Sequence, residues 1–139
     1  MAITQTIPTS FKAEILQGVH DAADTYKIAL YTSAATLDES TTAYTTNNEV
    51  TGTGYTAGGT TLVGFNVTTS GTTAVLDWTT DPAWFNATLT ARGALLYNAS
   101  KSNKAVYIMD FEFDQTSTNG TFTVVLPTPD ATDGLIRLG

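Results

Sequence analysis

Three short stretches of this chain carry residue types that could do chemistry. The run Asp110-Phe111-Glu112-Phe113-Asp114 offers three carboxylates at alternate positions, which could hold a hard cation such as calcium or supply the acid and base of a glycoside cleavage. The stretch TGTGYTAGG, residues 51–59, sets four glycines in nine positions, as a loop that cradles phosphate would. His20 is the single histidine, and serines and aspartates that could complete a Ser-His-Asp triad are plentiful.

Each stretch also has a plainer structural explanation. On a β-strand, Asp110, Glu112 and Asp114 share one face and Phe111 and Phe113 the other, which gives a solvated face above a buried aromatic one. Same-face neighbours stand about 7 Å apart, too far for one strand to close an oxygen cage unaided. A dinucleotide loop needs G-x-G-x-x-G between a strand and a helix, and a Walker loop ends in Lys. Here the spacing runs from Gly52 and Gly54 to Gly58 and Gly59, the following TTLVGFNV reads as a strand, and no Lys closes the loop. The glycines are therefore expected to permit left-handed backbone in a structural loop. No G-x-S-x-G elbow presents a serine to His20, whose place near a helix C-terminus suits the helix dipole. Trp78, Trp84 and Phe85 flank Asp81-Pro82 as sugar-stacking aromatics would, but sandwich core residues have the same pattern. No catalytic residue, cofactor or metal site is expected.

The elements that must position these residues are mostly strands. Ser10 is a fair N-cap for one short helix in which Phe11, Ile15, Leu16 and Val19 recur at helical spacing. About three turns are expected, weakened inside by Gly18 and ended from Asp21. From Tyr26 the period falls to two, with Tyr26, Ile28 and Leu30 opposed to Lys27, Ala29 and Tyr31. A long polar connection then runs from Ser33 through TLDESTTAYTTNNEV to the glycine stretch, the kind of loop that is functional or is ordered by a partner. After it come TTLVGFNVTT, TTAVLDWTT, AWFNATLTA, RGALLYNA, KAVYIMDFEF, GTFTVVLP and GLIRL, divided by turn signals at Ser70-Gly71, Asp81-Pro82 and Asn119-Gly120. About eight strands with one long connection predict an all-β fold, a two-sheet jelly-roll-like β-sandwich with one short N-terminal helix. Residues 1–9 read as an N-terminal arm and 10–139 as a single domain. An immunoglobulin-like sandwich is the alternative, without its Cys-Trp-Cys signature.

Composition narrows the function classes. The 139 residues are 42% hydrophobic but only 14% charged, unlike a disordered tail. Threonine fills roughly one position in five, as suits the solvent face of strands. The net charge of -7, with six Lys and Arg scattered from Lys12 to Arg137, lacks the clustered cations that nucleic acid requires. The absence of cysteine excludes disulfides, thiolate zinc sites and thiol nucleophiles. No basic segment followed by an apolar stretch and no long apolar run is found, so neither a standard secretory signal nor a membrane span is expected. The sequons at Asn66, Asn86, Asn98 and Asn119 then read as accidents of a Thr-rich chain.

The segments FKAEILQGVHD, KIALYTS, Asn48 to Gly59 with its pattern Asn-Glu-Val-x-Gly-x-Gly-Tyr-x-x-Gly-Gly, and Arg-Gly-Ala-Leu-Leu-Tyr-Asn from Arg92 resemble small virion proteins of tailed bacteriophages. The resemblance covers most of the chain and is to head decoration, or cement, proteins. It implies a non-enzymatic structural protein, made in the host cytoplasm and bound to the outer surface of the capsid. There, as a dimer or trimer, it would bridge neighbouring copies of the major capsid protein and hold the head against internal pressure. Nucleic acid and membrane are not expected partners. Candidate contact residues are Ile3 and Ile7 in the arm, Leu37, Tyr44 and Val50 in the long loop, and Tyr55 in the glycine stretch, apolar or aromatic groups in segments too irregular to form a core alone. The same side chains could instead pin their own loops to the sandwich. The alternatives are a tail, baseplate or head-to-tail joining component, and a carbohydrate-binding module using Trp78 or Trp84 with calcium near Asp110, Glu112 and Asp114.

Overall fold

The computed structural model describes residues 2–139. Its helix α1, Thr9–Leu16, spans eight residues, two turns rather than three. Pro8 stands at the N-cap without a side-chain cap bond, and the Ser10 hydroxyl donates to the Thr41 carbonyl instead. What ends the helix is Gly18, at φ +70°. The N–H of Gly18 bonds to the Ile15 carbonyl and that of Val19 to the Glu14 carbonyl, the pairing of a Schellman motif. The glycine expected to weaken the interior is the terminator.

The alternation at Tyr26 forms β1, Tyr26–Tyr31. It belongs to a four-stranded antiparallel sheet with β2 (Thr60–Thr61), β5 (Ala83–Asn98) and β6 (Lys104–Thr123), in the order β2-β1-β5-β6. The second sheet joins β3 (Val63–Ser70), β4 (Thr73–Thr80) and β7 (Ile136–Leu138) in the order β3-β4-β7, again antiparallel. The chain is thus an all-β sandwich with one short helix. Among the described residues there are seven strands rather than eight. AWFNATLTA and RGALLYNA run on as the single strand β5, and KAVYIMDFEF continues through Asn119-Gly120 as β6. The turn signals there produce bulges instead: register shifts fall between Trp84 and Ala87, Ala87 and Leu89, and Ala91 and Gly93, while Asn86, Glu112 and Asn119 take φ of 50°, 71° and 49°.

The two sheets meet over one aromatic-rich core. Tyr26 of the larger sheet stacks on Phe65 at 5.2 Å and meets Trp78 edge-on at 5.6 Å, both from the smaller sheet. Ile28, Leu30, Leu96 and Val106 pack with Ile136 and Leu135 in the same cluster, and Trp84 meets Phe122 edge-on. The opposite face of the larger sheet is apolar too. Ala29, Tyr31, Leu95, Tyr97, Ala105 and Ile108 form a second cluster, roofed by Ile3 of the arm and by Ala35 and Leu37 of the long loop. Burial on both faces is unusual for an antiparallel sheet, which can leave one face wet. Arm and loop are fixed by backbone pairing: Ile3 bridges Leu37, and Thr6 bridges Ile108 at the outer edge of β6.

Two glycines mark where backbone lies directly on backbone. A Cβ on Gly93 would stand 2.5 Å from the Met109 carbonyl oxygen and 2.9 Å from Ile3, so this glycine opens the seat for the arm. Gly59 has φ +79°, and a Cβ there would stand 1.7 Å from the carbonyl oxygen of Ile28. Gly59→Ala should therefore destabilise the fold by roughly 3 kcal/mol or more, since both the backbone conformation and the space are lost. Urea denaturation reads this directly, and a variant with the wild-type midpoint would show that the loop does not sit on β1 as described.

Candidate functional site

The glycine stretch and the long loop meet at Glu49, a carboxylate only 8% exposed. Its Oε1 accepts from the Tyr44 hydroxyl at 2.7 Å, and its Oε2 from the Tyr55 hydroxyl at 2.6 Å and the Gly58 N–H at 2.8 Å. Each donor is held in turn. Tyr55 accepts from the Leu30 N–H at 2.9 Å, Tyr97 donates to the Gly58 carbonyl at 2.6 Å, and the Tyr44 ring stacks on Tyr97 with centroids 4.7 Å apart. Tyr31 donates to the Thr45 carbonyl at 2.6 Å. Burial, reinforced by the Glu49 charge, drives the phenols of Tyr44 and Tyr55 well above the usual tyrosine range and pushes Tyr97 up to about 12. These hydroxyls stay protonated as donors. The arrangement builds no phosphate cradle: the carboxylate occupies the centre and repels an anion.

A second polar cluster holds the helix to the β5–β6 turn. His20 Nε2 lies 2.9 Å from Glu14 Oε1, and Asn98 Nδ2 donates to His20 Nδ1 at 3.0 Å and to Asp24 Oδ2 at 2.8 Å. The orientation of the Asn98 amide is fixed by the Ser100 N–H, which donates to its Oδ1 at 3.0 Å. His20 Nδ1 is thus an acceptor, which places the proton of a neutral ring on Nε2, aimed at Glu14. Lys101 Nζ donates to both Asp24 oxygens, at 2.8 and 2.7 Å. The Asn98 and Lys101 hydrogen bonds hold the Asp24 carboxyl down to about 2. His20 therefore serves through its two ring nitrogens, in the chain that follows the helix, rather than through the dipole of α1.

The remaining candidates separate. Asp110 accepts from Arg92 Nε at 3.2 Å and from the Glu112 N–H at 2.8 Å. Glu112 at φ 71° breaks the two-residue alternation, so Phe111 packs on the core while Phe113 is 71% exposed. The expected aromatic face is split, because residues 111–114 bulge between the Gly93–Asp110 and Ala91–Gln115 pairs. Among the described residues no three acidic or imidazole side chains converge as metal ligands would. Trp78 and Trp84 are both core, which leaves neither as a platform for sugar. Asp77 is buried, with one oxygen accepting from the Trp78 N–H, and burial pushes its carboxyl up.

The six proposed contact residues face inward in this fold. Ile3, Leu37 and Val50 are buried, and Ile7, Tyr44 and Tyr55 are half-buried against the two clusters. Their side chains pin their own segments, because the outer face of the larger sheet is apolar and must be covered. The large apolar side chains that do face solvent include Phe85 on β5, Phe113 on β6 and Val125 just beyond it, and Val63, Val67 and Leu138 on the smaller sheet. Phe85 is one of the aromatics at Asp81-Pro82 that the sequence offers to sugar, whereas Phe113 is expected on the buried face and is turned outward by the bulge at Glu112. Comparison with protein-family models, curated proteins and solved structures gives no match.

Two measurements probe these clusters. Tyr55→Phe removes a donor to a buried carboxylate and strands the Leu30 N–H, so a loss of about 2 kcal/mol or more is expected in denaturant unfolding. A loss no larger than that of Tyr44→Phe would contradict the double role of Tyr55. For Asp24, whose folded pKa is depressed, the contribution is complete above the unfolded value of 3.8 and disappears as pH falls toward 2. Asp24→Asn should therefore melt below wild type at pH 7, with most of the gap closed at pH 2 and the rest lost below it. A gap that does not change with pH would show that the Asp24 charge is not responsible.

Proposed function

We propose that this chain is a structural, non-enzymatic component of a tailed-bacteriophage virion, bound to the outside of the head, where it bridges neighbouring major capsid protein subunits. The observation that carries this reading is where the resembling segments fall. FKAEILQGVHD contains α1 from Phe11 onward, its Schellman turn and His20. KIALYTS is the body of β1, the segment from Asn48 to Gly59 holds Glu49 with two of its three donors, and the run from Arg92 contains the Gly93 seat and Asn98. The residues that carry the resemblance are therefore those that tie this fold together, so a protein sharing them is expected to share the fold.

The physical properties suit the role. A sandwich whose arm and long loop are bonded to its own sheet is a stiff body, and a stiff body loses little conformational freedom on docking. The acidic charge and scattered cations suit an outer position away from packaged DNA. Contacts with the shell are assigned to the outward Phe85, Phe113 and Val125 rather than to the arm and loop. Repetition over a symmetric shell makes modest contacts durable. Cryo-electron microscopy of purified particles tests the assignment. Icosahedral copy number on the outside of the head, each copy touching two capsid subunits, is expected. A dozen or fewer copies at one vertex or along the tail would favour a joining or tail component, and absence from the particle would overturn the virion reading.

A further inference from the structure

The edges of the two sheets differ in how they are protected. β2 is two residues long and β7 three. The outer edge of β6 is met by Thr6 at Ile108 and by Ala43 at Lys104, and beyond Asp110 it is interrupted by the bulge that carries Glu112 and Asp114. Bulges and like charges are standard protection against strand addition. β3 has neither past Gly64. Among the described residues, Phe65 to Ser70 pair in unbroken register with β4 on one side only.

The register determines which backbone groups are free. Ser70 and Thr73 face each other across the two-residue turn Gly71-Thr72, and the pair closing such a turn is hydrogen-bonded. Alternation makes Thr68 with Val75 and Asn66 with Asp77 hydrogen-bonded pairs as well. Phe65, Val67 and Thr69 then turn their N–H and C=O groups outward, three donors and three acceptors on one edge. The side chains of these residues lie on the inner face, where Phe65 meets Trp78 and Val67 is 60% exposed. Val67 also lines an apolar groove of about 170 Å³ with Phe11, Ile15, Leu76 and Leu138.

Charge selects the occupant. In a chain of net charge -7, residues 50–76 contain no Asp, Glu, Lys or Arg, the longest such run, and β3 lies wholly inside it. Two copies repel each other over most of their surface but can approach edge to edge here without opposing like charges. We infer that β3 pairs antiparallel with β3 of a second copy about a twofold axis at Val67. Val67 then faces the second copy's Val67, and Phe65 faces its Thr69. The pairing satisfies all the outward groups with about six hydrogen bonds and joins the smaller sheets into one six-stranded sheet. It also brings the two exposed valines together at the groove mouths. Within the virion reading this makes the bound unit a dimer, but the test needs no capsid.

Analytical ultracentrifugation of the purified full chain decides the matter, with circular dichroism as the check on folding. Wild type should be dimeric at about 10–100 μM, while Val67→Lys and Val67→Glu should each be folded monomers. An equimolar mixture of the two variants should recover the dimer, because Lys and Glu then face each other across the axis. A wild-type monomer throughout this range, a trimer, or a dimer that survives in both variants would overturn the inference. Should either variant fail to fold, Thr69→Lys, at the outer part of the same edge, should dissociate the dimer, and an intact dimer there would overturn it equally.

Discussion

A single buried carboxylate organises the irregular half of this protein. Glu49 gathers the Tyr44 and Tyr55 hydroxyls and the Gly58 N–H, and through them the long connection after β1 folds back along the edge of that strand. An uncompensated charge at this depth would cost several kcal/mol, whereas hydrogen bonds to a charged group contribute about 1.5–3 kcal/mol each. The three donors together offset that cost. The loop is therefore held cooperatively, and Tyr55, which also accepts the Leu30 N–H, links it to the central sheet.

The second constraint is the two-sided burial of the larger sheet. Since Ala29, Leu95 and Ile108 are as apolar on one face as Ile28, Leu96 and Val106 are on the other, the sheet cannot leave either face wet. The smaller sheet covers one, and the arm and long loop cover the other. Gly93 and Gly59 supply the close approach that this covering needs. The His20, Asn98, Asp24 and Lys101 cluster performs the corresponding task for the helix and the β5–β6 turn. The Glu49 and His20 clusters are thus both engaged in holding segments in place.

The outer surface carries the opposite pattern. The β6 edge is bulged and acidic, while β3 presents an uncharged, regular edge beside an apolar groove. A protein that must remain soluble while meeting partners at chosen places is expected to combine guarded and open edges in this way. Which edge is open follows from the charge distribution together with the bulges, and only the first of these can be read along the chain.

The sequence by itself determined the all-β class, the helix near Phe11, the alternation of β1, the hairpin at Ser70-Gly71 and the structural nature of the glycine stretch. These rest on local chemistry: side-chain period, turn residues and the spacing that a phosphate loop requires. Only the tertiary structure decided that Asn119-Gly120 is a bulge rather than a turn, that Phe111 and Phe113 part company, and that Ile3, Leu37 and Val50 face inward. A bulge and a turn use the same residues at positive φ, and what separates them is whether a partner strand continues alongside. Likewise, an apolar residue in an irregular segment looks the same whether it awaits a partner or covers its own sheet. The difference lies in the apolar far face of β1, β5 and β6, which exists only once strands distant in sequence are paired.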